Sequence, residues 1–184
     1  LSPGTPEPTT VDDVRQHTVD SDLNTLDLGL EQRLQELADR EAQAEAQAQR
    51  LRELFRQEID DGRVLVGRDR TDVVIQILEK DSFPSGRAEL DADSLPTLAK
   101  IGTLIHATAG AITVSGHTDN VPIRNGAYRS NWDLSAARAA SVAHELLQSG
   151  VAPERLMVSG HADTQPRAPN DTAGGRALNR RVDI

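Results

Sequence analysis

The sequence predicts an α/β domain with helices on one mixed sheet, preceded by a long helix. Three observations predict it. Short apolar runs alternate with helix-period segments in a strand, helix, strand, helix, strand rhythm. Val114-Ser-Gly-His-Thr-Asp recurs 44 residues later as Val158-Ser-Gly-His-Ala-Asp, so the strand-and-turn unit is used twice. At Leu28 the composition switches from Pro, Thr and Asp to Leu, Ala, Glu, Gln and Arg, all strong helix formers.

Residues 1–27 read as a flexible tether, with prolines at 3, 6 and 8 and acidic, Thr-rich stretches up to Asp22. Residues 28–61 read as one long helix. Positions 30, 34, 37, 41, 44, 48, 51, 55 and 58 keep the four-three spacing of a heptad seam. Most of them are apolar (Leu30, Leu34, Leu37, Ala44, Ala48, Leu51, Phe55); Glu41 and Glu58 interrupt. The small Ala residues weaken its middle, so the helix is expected to act as a spacer, a dimer seam or a conformational switch. Asp61-Gly62 stops it.

Residues 62–184 carry the domain. Arg63–Gly67 and Asp72–Leu78 are two strands joined by the polar turn Arg68-Asp69-Arg70. Ser82–Leu90 is a loop. Leu95, Leu98, Ile101 and Ile105 share one face of a helix closed by Gly110. Ile112–Val114 is a strand. Ala139, Val142, Ala143, Leu146 and Leu147 form the core face of a second helix, with Ser135 as its expected N-cap and Gly150 beyond its end. Leu156–Val158 is a strand, and Arg181–Ile184 begins another. Crossovers of this length place successive strands either side by side in parallel or with one strand skipped.

Composition excludes several functions. At 184 residues the chain holds one domain plus an appendage. A net charge of -9 argues against nucleic-acid binding, which needs a basic surface. No cysteine is present, which removes disulfides and thiolate metal sites. No run approaches the roughly 20 apolar residues of a membrane helix. The chain opens on Leu1 rather than Met and is read as a fragment.

The chemistry-bearing stretch is Gly116-His117-Thr118-Asp119-Asn120, followed by Asn131-Trp132-Asp133-Leu134-Ser135-Ala136-Ala137-Arg138-Ala139. An Asp at a strand end usually caps a turn, and a helical Arg is usually solvated. With Ser135 as N-cap, however, Arg138 would sit in the first helical turn, where a cation is disfavoured unless an anion joins it. Asp119 and Arg138, nineteen residues apart, then make a clamp for a zwitterion: ammonium on Asp119, carboxylate on Arg138.

Three motifs, His117-Thr-Asp, Asn131-x-x-Leu-Ser-x-x-Arg-Ala and Asn179-Arg-Arg, resemble the OmpA-like peptidoglycan-binding domain. Phe83-x-x-Gly-x-Ala-x-Leu fits the same pattern, and the resemblance spans roughly Asp69 to Ile184. Asp119-Asn-Val-Pro-Ile and Ser130-Asn-Trp-Asp-Leu-Ser are similar, more narrowly, to the periplasmic part of MotB-type flagellar stator subunits. The resemblance implies a β-α-β-α-β-β order with a four-stranded mixed sheet. It implies non-catalytic binding of peptidoglycan through the diaminopimelate of its stem peptide, with Asp119 and Arg138 as the clamp. Thr118, Asn131, Leu134, Asn179 and Arg180 would line the site. It further implies a homodimer, a MotA-type partner, and a periplasmic place anchored to the inner membrane by an upstream segment. No cofactor is expected.

Two other readings compete. A lipoprotein tether of the outer membrane would share the same domain. A metal-dependent hydrolase would use His117, Asp119, His161 and Asp163. The chain carries no Gly-x-Ser-x-Gly elbow, phosphate loop or His-Glu-x-x-His to support hydrolysis.

Overall fold

The structure is a computed structural model that describes residues 11–80 and 82–184, with side chains from residue 27 onward. The first ten residues of the tether expected over residues 1–27 lie outside the described residues. Helix α1 runs Val11–Leu54 and so begins well inside the stretch read as tether. No proline follows Pro8 until Pro84. Nothing in this stretch forces the chain out of a helix.

After a break at Phe55, α2 (Arg56–Asp60) continues the path. Strands β1 (Val64–Asp69) and β2 (Asp72–Leu78) form a hairpin whose turn puts Arg70 at a φ of 53°. Helix α3 spans Leu95–His106, β3 Ile112–His117, α4 Asn131–Gln148, β4 Leu156–Gly160, α5 Ala173–Asn179 and β5 Arg181–Asp183. The mixed sheet and the long leading helix are as the sequence predicts. The sheet has five strands, not four, in the order β1-β2-β5-β3-β4. The additional strand is the outer member of the β1–β2 hairpin. Only the β3–β4 pair is parallel, so the α4 crossover joins direct neighbours.

The core lies between this sheet and the helices. Leu98, Ile101, Val142 and Leu146 from the helices meet Val64, Ile77, Val114 and Val182 from the strands, all 2% exposed or less. Burying such side chains contributes roughly 1.5–3 kcal/mol each. The packing does not stop at Asp61. Ala48 and Phe55 of the helical segment are fully buried, and Leu51 and Ile59 pack on the same cluster. Polar ties reinforce the docking: Arg52 Nε donates to Val66 O at 3.1 Å, Arg68 Nε to Glu45 at 3.0 Å, and Lys100 Nζ to Leu54 O at 2.7 Å and Glu58 at 3.0 Å. The heptad seam is therefore divided. Its second half, Ala44 to Phe55, docks on the chain's own sheet. Its first half, Leu30, Leu34 and Leu37, is 50% exposed or more.

The 44-residue echo has a steric cause. Gly116 and Gly160 are paired in register on β3 and β4, directly beneath the start of α4. A Cβ on Gly116 would lie 1.9 Å from Ser135 O, and one on Gly160 2.6 Å from Ala136 N. Both strands give up a side chain so that one helix can approach both.

Candidate functional site

Sheet order builds the site. Strands β2 and β3 run the same way, with β5 antiparallel between them. The residues just past the ends of β2 and β3 therefore flank the residue just before β5. These are Glu79, Asp119 and Arg180, so an arginine stands between two carboxylates at one edge of the sheet. Arg180 Nη1 donates to Asp119 Oδ2 at 2.7 Å, and its Nε donates to Glu79 Oε2. Asp119 Oδ1 accepts from Val121 N at 3.0 Å, which shapes the turn after β3.

Arg138 closes the arrangement from α4. It does not sit in the first helical turn. The helix begins at Asn131, and Ser130, in extended conformation, is its N-cap. Ser135 serves the packing instead: its Oγ donates to Trp132 O and accepts from Ala162 N at 3.1 Å, tying α4 to the end of β4. Arg138 thus lies two turns in, 1% exposed. Its Nη2 donates to Glu79 Oε1 and its Nε to Arg87 O at 2.8 Å. The guanidinium also lies 5.1 Å from the Phe83 ring centroid, a cation–π distance.

A cleft of about 530 Å³ opens over these charges, within the usual range for small-ligand sites. Of the residues expected at the site, Asp119, Arg138, Thr118, Asn131, Leu134 and Arg180 line it. Asn131 positions the loop: its Nδ2 donates to Asp119 O and Val121 O, while its Oδ1 accepts from Ile123 N. Thr118 Oγ1 donates to Asp119 O at 2.9 Å. Asn179 is not among the lining residues. It is fully buried, and its amide is engaged by Arg167 N, Ala168 N, Ala168 O and Asn170 Oδ1, so it holds the loop before α5.

Phe83, which opens the Phe-x-x-Gly-x-Ala-x-Leu motif, also lines the cleft, as do Glu79, Lys80 and Arg176, which the motifs do not single out. Glu79 follows the apolar run of β2, but nothing local signals its partner 59 residues away. Four cations (Lys80, Arg138, Arg176, Arg180) face two carboxylates (Glu79, Asp119) in the cleft of a chain with net charge -9. This local balance suits a ligand carrying carboxylate groups.

The echoed histidines stand one residue beyond the two glycines. Their rings stack, with centroids 5.1 Å apart and 13° between planes. Burial, and then the positive charge of Arg181, pushes the His117 pKa down to about 3, so this imidazole is neutral at physiological pH. His161 Nε2 is 3.0 Å from Ser159 Oγ. Among the described residues, no group of three His, Cys, Asp or Glu is placed to hold a metal ion.

The chain is similar to proteins already described. Motility protein B of Bacillus subtilis (strain 168) is 34% identical over 114 residues, which is 61% of this chain and 44% of that protein. The chain spans about half the length of such curated relatives or less. Among solved structures, the cell wall anchor of the T6SS from Pseudomonas aeruginosa is 37% identical with a TM-score of 0.67, covering 72% of this chain and 93% of that one. The periplasmic domain of Helicobacter pylori MotB is 27% identical with a TM-score of 0.61, covering 65% of this chain and 78% of that one. The family model for OmpA matches residues 82–180, a segment that contains Asp119, Arg138 and Arg180. More than half of its residues fall in that match, and the chain belongs to the OmpA family.

Proposed function

We propose that this domain binds peptidoglycan without catalysis and anchors a motility stator to the cell wall. Its ligand is the diaminopimelate of the stem peptide, with the free ammonium on Asp119 and the carboxylate on Arg138. The carrying observation is convergence. A carboxylate from a strand end and a guanidinium from a helix, far apart in sequence, line one cleft together with Arg180. An amino-acid centre on a polymer side chain offers the complementary pair of charges. Leu134 supplies an apolar wall, while Thr118 and Asn131 hold the Asp119 loop in shape.

Asp119→Ala tests this reading. It removes a charge-assisted contact, typically about 1.5–3 kcal/mol, so wall affinity is expected to fall at least tenfold. Co-sedimentation with insoluble peptidoglycan in the presence of a chelator is the measurement. Wild type should pellet and leave the polymer intact. A variant that pellets as well as wild type, with an unchanged circular dichroism spectrum, would sink the clamp.

The rest of the assembly belongs to the same proposal. The names of the relatives support a periplasmic place for the domain; an inner-membrane anchor and a MotA-type partner rest on the motif resemblance alone. A homodimer is supported by the exposed Leu30, Leu34 and Leu37 at heptad spacing. Replacing all three by Gln is expected to shift the light-scattering mass from dimer to monomer; an unchanged mass rejects the seam. A second reading keeps the wall contact and changes the machine. Greater identity to the secretion-system anchor than to the MotB domain favours it (37% against 27%). Loss of motility or loss of secretion in a deletion strain decides between them.

A further inference from the structure

The wall-ligand reading leaves one carboxylate without a task. Glu79 is largely buried, at 12% side-chain exposure, and holds Arg138 with one oxygen and Arg180 with the other. Asp119 holds the far side of Arg180. The four charges alternate in sign, Arg138, Glu79, Arg180, Asp119, and they satisfy one another. Both ends of the proposed clamp are thus occupied from within. Glu79 stands where a ligand carboxylate would meet Arg138, and Arg180 where an ammonium would meet Asp119.

We infer that Glu79 is a specificity-determining residue of the cleft, selecting a zwitterion over a simple carboxylate. The inference rests on the reading given above and deepens it. A carboxylate entering alone competes with Glu79 for the Arg138 guanidinium. It replaces one carboxylate–guanidinium contact by another and leaves Glu79 sharing Arg180 with Asp119. Within this row three carboxylates then compete for two guanidiniums, because Arg176, elsewhere in the cleft, donates to Asn170 O at 2.8 Å. A zwitterion makes two exchanges at once. Its carboxylate takes Arg138, its ammonium takes Asp119, and the released Arg180 and Glu79 keep each other. Every charge ends with a partner, which matters because a partly buried charge left alone is costly. The side chains suit this division. The Arg138 side chain is 2% exposed and fixed, whereas that of Arg180, at 33%, has room to turn from Asp119 toward Glu79.

The test compares two dicarboxylates by calorimetric titration of the full chain: meso-diaminopimelate, and pimelate, which has the same carbon chain and no amino groups. Wild type is expected to bind diaminopimelate at least about tenfold more tightly than pimelate, the scale of one charge-assisted contact. Glu79→Gln keeps the shape and removes the competing charge. It is expected to bind pimelate about tenfold more tightly than wild type does, and to narrow the gap between the ligands. Diaminopimelate gains less, because Arg180 has no carboxylate to turn to once it leaves Asp119. If the variant binds pimelate no better than wild type does, Glu79 orients Arg138 and does not compete, and the inference is overturned. Wild type binding neither compound nor isolated wall overturns the wall-ligand reading itself, and this inference with it. Because Glu79→Gln leaves Arg138 short of a partner, its thermal midpoint is followed in acetate. The midpoint should rise more in the variant than in wild type as acetate fills the vacated place; an equal or smaller rise counts against the inference.

Discussion

Arg138→Ala is expected to abolish wall binding and to lower stability by about 3–5 kcal/mol, the usual result of removing one partner from a buried ion pair. The stability loss follows from burial. Arg138 is 1% exposed and is held by Glu79, by Arg87 O and by the face of Phe83. Its removal leaves the Glu79 carboxylate with Arg180 alone. An Arg in the first turn of α4, as the sequence predicts, would lose binding and little else. Measured against a typical domain stability of about 5–15 kcal/mol, the variant is expected to fold at low temperature and melt early. Urea unfolding gives the stability change, and co-sedimentation well below the variant's midpoint gives the binding change. Arg138→Lys keeps the charge but loses the planar fork, so it should fall between the two. An alanine variant as stable as wild type would show that Glu79 finds another partner.

Gly116→Ala should be among the most damaging single methyls in the domain. The new Cβ would stand 1.9 Å from Ser135 O, and the three nearest atoms all belong to the Ser135 backbone in α4. No side-chain rotation relieves such an overlap, so strand β3 and helix α4 must part. The expected cost is at or above the roughly 3 kcal/mol upper end of ordinary overpacking. Separation there would also move Asp119 and Arg138 apart, since one follows β3 and the other rides on α4. Gly67→Ala is a control in the same sheet, because a Cβ there meets nothing within 4 Å. Equal urea midpoints for the two variants would refute the close-approach argument.

Much of this architecture is legible in the sequence because it rests on local pattern. The apolar run Val73–Leu78, the helical periodicity of α3 and α4, and the repeated Ser-Gly-His each report a nearby physical demand. What escapes is set by distant contacts. Helix α5 carries Gly174 and Gly175, poor helix formers. It is held by a Thr172 side-chain cap and by the close pass of Gly175 to Pro169 O. Ser130, not Ser135, starts α4, because Ser135 is claimed by the β4 turn. Asp119, Arg138 and Arg180 are visible as a motif, but Glu79 is not, since only the strand order brings it between Arg138 and Arg180. The heptad spacing was ambiguous for a different reason: an apolar stripe suits a partner helix and a sheet equally well.

Helix α1 is, in mechanical terms, a beam built in at one end. Its docked stretch, Ala44 to Leu54, is about 17 Å long at 1.5 Å per residue. The stretch from Asp27 to Gln43, solvent-facing but for the partly covered Gly29, adds about 25 Å. An arm longer than its socket multiplies any sideways load at its tip into a couple. That couple presses hardest at the two ends of the socket. Polar fastenings sit at those ends: Glu45 with Arg68 at one, Leu54 O with Lys100 at the other. Apolar contact alone resists sliding weakly, because it has no direction. Directed bonds at the extremities turn the socket into a joint that transmits torque from the arm to the sheet edge.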